Sequence, residues 1–378
     1  MSGDMATTLA PPRVETNPPK GSTAAPSSAP QRYVALDAFR GFIMICLVAV
    51  GFGFGALKNH PVWGVVSQQV DHVAWEGTVF WDLIQPAFMF MVGVAMPFSF
   101  ARRMADGAGF GANLGHVMKR AVIFVCLSNL FVVVGSGRIQ FGLINVLSQM
   151  AFTYVLCFLI MQLAFRWQVA ACAAMLAAHW GLFVAFPGPE GPFSKEGNIG
   201  QVIDMALLGR VYPGLYVTIN FMSSTATTLF GVWTGYLLRS GRGHGGVMKV
   251  LAGAGVASMA LGLALTPVSP LVKRIWTTSF TFYSTGWVLL MLLGFYWLVE
   301  VKGYRRIMFP LLVVGANSIF AYCVSQVMRG SIHRSVGVLT GKFEWIGTLA
   351  PVFHACATLA VIWYVCYWLY QRKVFIKV

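Results

Sequence analysis

Apolar runs long enough to cross a bilayer recur along almost the whole chain, with only short breaks between them, and few architectures accommodate that pattern. About 20 residues rising 1.5 Å each cross a hydrocarbon core of roughly 30 Å. We read such spans near 40–57, 79–100, 121–135, 142–164, 168–186, 215–238, 248–266, 277–299, 307–327 and 346–370. The span at 121–135 is short and is expected to extend or tilt. Charged residues make up 10% of the chain, and mean hydropathy is +0.70. Soluble domains carry roughly 25% charged residues, so a water-soluble chain of this length is excluded. The expected fold is all-α: one polytopic helix bundle over 32–378 with about ten transmembrane helices.

Residues 1–31 differ in kind. Six prolines (Pro11, Pro12, Pro18, Pro19, Pro26, Pro30) are mixed with Ser, Thr and Ala, without an apolar run. Such a composition cannot offset the entropy of ordering, so a disordered tail is expected. It also lacks the apolar core of a cleavable signal, which leaves targeting to the first helix. Ten spans put both termini on one side. With that side cytoplasmic, 18 of the 27 Lys and Arg fall inside, a two-to-one bias in the positive-inside sense. The net charge of +15 is therefore assigned to topology and anionic headgroups rather than to nucleic acid, for which no motif is present. The seven cysteines all lie in apolar segments and show no CxxC spacing, so neither structural disulfides nor a metal site is expected.

Ionisable groups inside a membrane are costly and point to function. The richest cluster is DHVAWEGTVFWDLIQPAFMFMVG, residues 71–93. His72 is placed at the external mouth, before the second helix. Asp82 is placed in that helix's first turns, and Pro86 is expected to bend it. An imidazole titrates near working pH and serves as a general base when a carboxylate orients it. Asp82 is the best such partner, ahead of Asp71 and Glu76. The composition equally allows a solvated loop histidine and a helix N-terminal charge.

Three other stretches carry candidates. In RYVALDAFRGF (32–42), Asp37 is a plausible N-cap and Arg40 either its partner or a phosphate ligand. The basic, Gly-rich stretch 102–120, with Lys119 and Arg120 at its end, is expected to be a cytoplasmic loop. In VSPLVKRIWTTS (268–279), Lys273 and Arg274 share the external water with His72, and Trp276 is an interfacial anchor or a substrate contact. Asn317 in GANSIFAY is expected in mid-helix, as glue between helices or as a substrate contact. Glycines at GFGFG (51–55) and at Gly231 and Gly235 have close-packing spacing. Residues 187–214 form the longest external loop and are placed to cover a site.

In order along the chain these pieces resemble one family. They are LDAFRG (36–41), with Asp37 and Gly41; H-x-x-W-x-G (His72, Trp75, Gly77); and the run from Asp82 through Pro86 to Gly93. R-I with V-L-x-Q-x-A-x-x-Y follows (Arg138, Gln149, Tyr154), then PGL (213–215), P-x-x-K-x-x-W (Pro270 to Trp276), E-V-K-G (300–303) and G-x-N-S-I (315–319). The chain resembles bacterial relatives of lysosomal heparan-α-glucosaminide N-acetyltransferase, within the transmembrane acyltransferase superfamily. That resemblance implies acetyl-CoA as acyl donor from the cytoplasm, with Arg40, Lys119 and Arg120 on the cofactor. It implies His72 with Asp82 as the catalytic pair near the outer face of a bacterial inner membrane. An extracytoplasmic saccharide acceptor would meet Trp75, Arg138, Lys273, Trp276 and Asn317. No metal is implied, and a homodimer is left open. One position departs: the animal enzyme's assisting Asn corresponds to Gly51, with Asn59, Asn145 and Asn317 as candidate substitutes. A transporter or flippase, or a non-catalytic membrane subunit, is the competing class.

Overall fold

The computed structural model describes residues 33–376; the tail over 1–31 lies outside the described residues. The chain forms α1 (Val34–Ala49), α2 (Trp63–Gln69), α3 (Ile84–Ala105), α4 (Phe110–Ser136), α5 (Val146–Met161), α6 (Phe165–Ala185) and α7 (Ile199–Leu208). It continues with α8 (Phe221–Arg239), α9 (His244–Ala264), α10 (Thr278–Tyr296), α11 (Phe309–Ala316), α12 (Ser318–Val327), α13 (Arg329–Thr340) and α14 (Ala350–Gln371). Among the described residues there is no strand, only one isolated bridge between Gly188 and Gly191. The all-α expectation holds, and multiple apolar helices make this a multi-pass membrane protein.

Seven helical stretches are long and apolar enough to cross a membrane, or eight if the bent pair α11 and α12 counts as one span. Each of the ten expected spans coincides with helix. The difference lies at α5, which has 16 residues, and at α8, whose run of Ser and Thr dilutes its hydropathy. Both sit against several other helices and face protein more than lipid. The short span expected at 121–135 is the last part of the 27-residue α4.

Helix contacts at the centre are made backbone to backbone. A Cβ at Gly93 would stand 1.9 Å from the Thr228 carbonyl oxygen, and one at Gly231 2.0 Å from that of Phe90. Together with Gly235 these glycines lock α3 parallel to α8. Likewise a Cβ at Gly41 would meet the Leu311 oxygen at 1.9 Å, and one at Gly315 the Asp37 oxygen at 2.4 Å. The LDAFRG and GANSI motifs, from opposite ends of the chain, are thus the two faces of one α1–α11 contact.

Four local expectations are corrected. Asp37 is not an N-cap: α1 starts earlier, after Tyr33, and Asp37 lies in its first turn. The Glu300 carboxylate instead accepts from the Ala35 N–H at 2.9 Å, satisfying one of the donors that a helix start leaves open. Pro86 does not bend its helix, because it occupies the first turn of α3, where no N–H is needed, and α3 runs on unbroken past Pro97. The basic stretch 102–120 is mostly helix. The turn between α3 and α4 spans only 106–109, made tight by Gly107 at φ +87°. Asn317 is not in mid-helix: α11 and α12 meet there at 78°. Its amide donates to the Val374 carbonyl at 3.1 Å and accepts from the Ile376 N–H at 2.9 Å. The break is closed by the chain's own C-terminal segment, so Asn317 is spent structurally.

Candidate active site

The segment between α2 and α3 is extended and pinned at both sides. The Gly77 N–H donates to the Leu271 carbonyl at 2.9 Å, with Gly77 at φ +108°. The Phe80 N–H reaches Gln69 Oε1 at 3.3 Å. A 3-10 turn at Phe80–Leu83 then leads into α3 and turns Asp82 inward, where it is 1% exposed. One oxygen of Asp82, Oδ2, accepts from the Val79 N–H at 3.3 Å. The other lies 2.7 Å from His72 Nδ1.

Lys273 completes the cluster. Its Nζ stands 3.4 Å from Asp82 Oδ1 and 3.3 Å from His72 Nδ1, and the residue is 3% exposed. The turn carrying it is tied by its own hydroxyls. Thr277 Oγ1 donates to the Pro270 carbonyl at 2.6 Å, as does Ser279 Oγ at 2.9 Å. Burial pushes the Lys273 ammonium down to about 8, against the opposing pull of Asp82. An ammonium has no lone pair to accept with. Asp82 Oδ1 therefore accepts from both neighbours, and Nδ1 of His72 carries the proton. That leaves Nε2 of His72 with its lone pair and, among the described residues, no partner. The His72 side chain is 40% exposed, so a substrate can reach the ring while Asp82 and Lys273 are buried.

The remaining candidates divide. Trp75 donates from Nε1 to the Phe193 carbonyl at 3.1 Å and packs on a buried cluster of Phe183, Val217, Val272 and Ile275. The 187–214 segment therefore does fold over the His72 loop. It is not all loop, since α7 lies within it. Trp276 is neither an anchor at an interface nor accessible to substrate. It is fully buried, edge-on to Phe280, with Nε1 donating to Thr227 Oγ1 at 3.3 Å. Arg138 is exposed on the turn after α4, and among the described residues its side chain makes no hydrogen bond or ion pair. Gln149 is buried and accepts from Gln85 Nε2 at 2.8 Å, while its own Nε2 has no partner.

Around the opposite end of α3 basic residues outnumber acidic ones, with Arg102 and Arg103 in its last turn beside Asp106. Arg40 lies 3.6 Å from Asp37. Lys119 is exposed. Arg120 points into the bundle, donating to Tyr154 Oη at 2.9 Å with its guanidinium 4.7 Å above that ring, and its Nε is buried without an acceptor. From Asp82 to Arg103 along the helix is roughly 30 Å at 1.5 Å per residue, the depth of a bilayer core.

Gly51 has its own reason. It adopts φ +70°, and a Cβ there would stand 2.9 Å from the Val70 carbonyl, two residues before His72. No side chain fits. Asn59 is exposed, Asn145 caps α5, and Asn317 holds the C-terminal segment, so none of the three touches His72. Another amide, Asn220, braces the turn that carries Lys273: its Nδ2 donates to the Arg274 carbonyl at 2.8 Å. Nothing in its local sequence distinguishes it. Gln85 was detectable, lying three residues beyond Asp82 and so on the same helix face. Tyr216 also borders the Lys273 turn, with the Arg274 guanidinium 5.9 Å from its ring.

Residues 32–191 match the family model described as heparan-alpha-glucosaminide N-acetyltransferase, catalytic. Human heparan-alpha-glucosaminide N-acetyltransferase is 23% identical, over 93% of this chain and 61% of its own length. The mouse protein of that name is 22% identical, over 80% of this chain and 54% of its own. The chain is thus similar to heparan-alpha-glucosaminide N-acetyltransferase, through its first half in the family model and over most of its length in the two animal proteins. It spans under two thirds of the length of these N-acetyltransferases. The matched stretch contains His72, Asp82, Trp75, Arg120 and Gln149, whereas Lys273 and the whole of α8 lie beyond it.

Proposed function

We propose that this chain is a membrane-embedded acyltransferase that moves an acetyl group from acetyl-CoA to an amino saccharide at the His72 end of the bundle. The observation that carries the reading is the Asp82–His72 pair, with a half-exposed ring whose Nε2 has no partner among the described residues. In this reading Nε2 takes the proton of the acceptor nitrogen as that nitrogen attacks the thioester carbonyl, and returns it to the coenzyme sulfur as the C–S bond breaks, so that the free thiol leaves. Asp82 fixes the tautomer and stabilises the imidazolium that forms. Lys273 keeps Asp82 ionised in its buried position.

The donor belongs at the other end. Arg120, with a buried Nε–H lacking an acceptor, is suited to a phosphate oxygen. Arg103 and Lys119 share its surroundings around His116, and Arg40 adds a further cation on α1. The topology this reading uses has ten crossings, with α5 and α8 counted, both termini in the cytoplasm, and a bacterial inner membrane as its location. A transporter would need a polar break open to cargo; the break at Asn317 is filled by Val374 and Ile376, which favours the enzyme.

The test is acetyl transfer from labelled acetyl-CoA to glucosamine by the purified full chain in nanodiscs. Transfer by the wild-type protein and a loss of about 100-fold or more in His72→Ala are expected. Equal activity in that variant removes His72 from the chemistry, and no transfer to any amino sugar removes the proposed function.

A further inference from the structure

Buried hydroxyls in helices ordinarily bond back to the carbonyl four residues earlier. In α8 this is what Thr225, Thr228 and Thr234 do, donating to Phe221, Ser224 and Phe230 at 2.6, 3.0 and 2.9 Å. Ser223 and Ser224 do not. Both are 0% exposed, and neither Oγ has a partner. The cause is local: a 3-10 turn at Thr218–Asn220 precedes α8, so the carbonyls these serines would otherwise use are not in α-helical register. In that turn, Asn220 is 2% exposed with its Oδ1 also unpartnered, and Thr218 Oγ1 is unpartnered as well.

The turn is built, not incidental. Asp204 of α7 is a buried carboxylate that accepts from the Thr218 N–H with both oxygens, at 3.2 and 3.1 Å, and burial raises its pKa. Asn220 Nδ2 clamps the other side to the Arg274 carbonyl. Because α3 and α8 run parallel, this start of α8 lies beside the start of α3, which carries Asp82. Unsatisfied buried polar atoms are rare, and each calls for a ligand or water. Here they cluster next to a proposed group-transfer site.

We infer that Asn220, Ser223 and Ser224 form a hydroxyl-recognition subsite, which selects a polyhydroxylated acceptor over a simple amine at the His72 site. The inference rests on the acyltransferase reading for the word acceptor, but its test does not require turnover. Glucosamine binding is measured without donor, by tryptophan fluorescence of the full chain in nanodiscs. Ser223→Ala/Ser224→Ala is expected to weaken binding about tenfold, from two lost hydrogen bonds. Ser284→Ala, which removes a buried hydroxyl already bonded to the Phe280 carbonyl, is the matched control and should leave binding unchanged. If the double variant loses its monodisperse elution, the single variants are read instead, each at about threefold.

Wild-type affinity in the double variant overturns the subsite, as does a wild-type protein that does not bind glucosamine, or an equal loss in Ser284→Ala. Serine-dependent binding without any acetyl transfer leaves the subsite standing and removes the transferase. Transfer with serine-independent binding and KM does the reverse.

Discussion

Asp82 Oδ1 faces an imidazole and an ammonium together, so removing its charge acts on both. Asp82→Asn is expected to lower acetyl transfer about 100-fold by losing control of the His72 tautomer. It also leaves Lys273 as an unpaired buried cation, which costs about 3–5 kcal/mol. The check is thermal unfolding of a pair of variants: Asp82→Asn/Lys273→Met should melt above Asp82→Asn alone. Lys273 also sets a pH signature. Its folded value of about 8 lies below the ordinary 10.5, so between those values the unfolded chain binds more protons than the folded one, and stability rises with pH. The melting temperature of the wild type should therefore gain on that of Lys273→Met from pH 8 to 10. A flat difference would place Lys273 in water. Of this cluster, His72 and Asp82 were legible because they bracket one helix start. The direct contact of Lys273 was not, because 201 residues separate it from His72 and only the fold closes that distance. Trp276 was misplaced because a tryptophan next to basic residues looks interfacial, whereas the backbone turns it inward at φ +48°.

Among the elements, glycine decides which helices touch. Gly93 and Gly231 admit no Cβ without moving a neighbouring carbonyl, whereas nothing lies within 4 Å of a Cβ at Gly115 in α4. Gly231→Ala is expected to destabilise by about 1–3 kcal/mol through overpacking against backbone. Gly115→Ala should be neutral or stabilising by up to about 1 kcal/mol from helix propensity. Melting temperatures of the two variants in the same detergent make the comparison, and equal values would show that α3 and α8 can slide apart. The spans themselves were legible because hydropathy and length fix them. The ends were not: α1 begins at Val34 rather than near 40, because a carboxylate more than 260 residues away caps it. The short helices α2, α7 and α13 escaped because they lack the length that makes an apolar run readable.

Across the whole molecule, α3 joins the exposed imidazole to a basic far end with a helix as long as the bilayer core is thick. In the proposed reaction, a coenzyme held by its phosphates at the basic end and an amine arriving at the imidazole end need never share a compartment. Sidedness is thus the property that separates the proposed reaction from that of a soluble acetyltransferase, and sealed proteoliposomes measure it directly. With glucosamine trapped inside and acetyl-CoA added outside, the molecules whose Arg120 end faces outward should acetylate the lumenal sugar. Supplying both substrates only outside should give close to none, because neither orientation then sees both. Detergent permeabilisation should restore transfer, showing that the protein was active throughout. Arg120→Gln adds a second reading in the permeabilised state: KM for acetyl-CoA should rise about tenfold, the scale of one lost charge-assisted hydrogen bond, with KM for glucosamine unchanged. Full transfer in sealed vesicles with both substrates on one side would mean that donor and acceptor enter by the same mouth. The basic end of α3 would then have no part in the reaction.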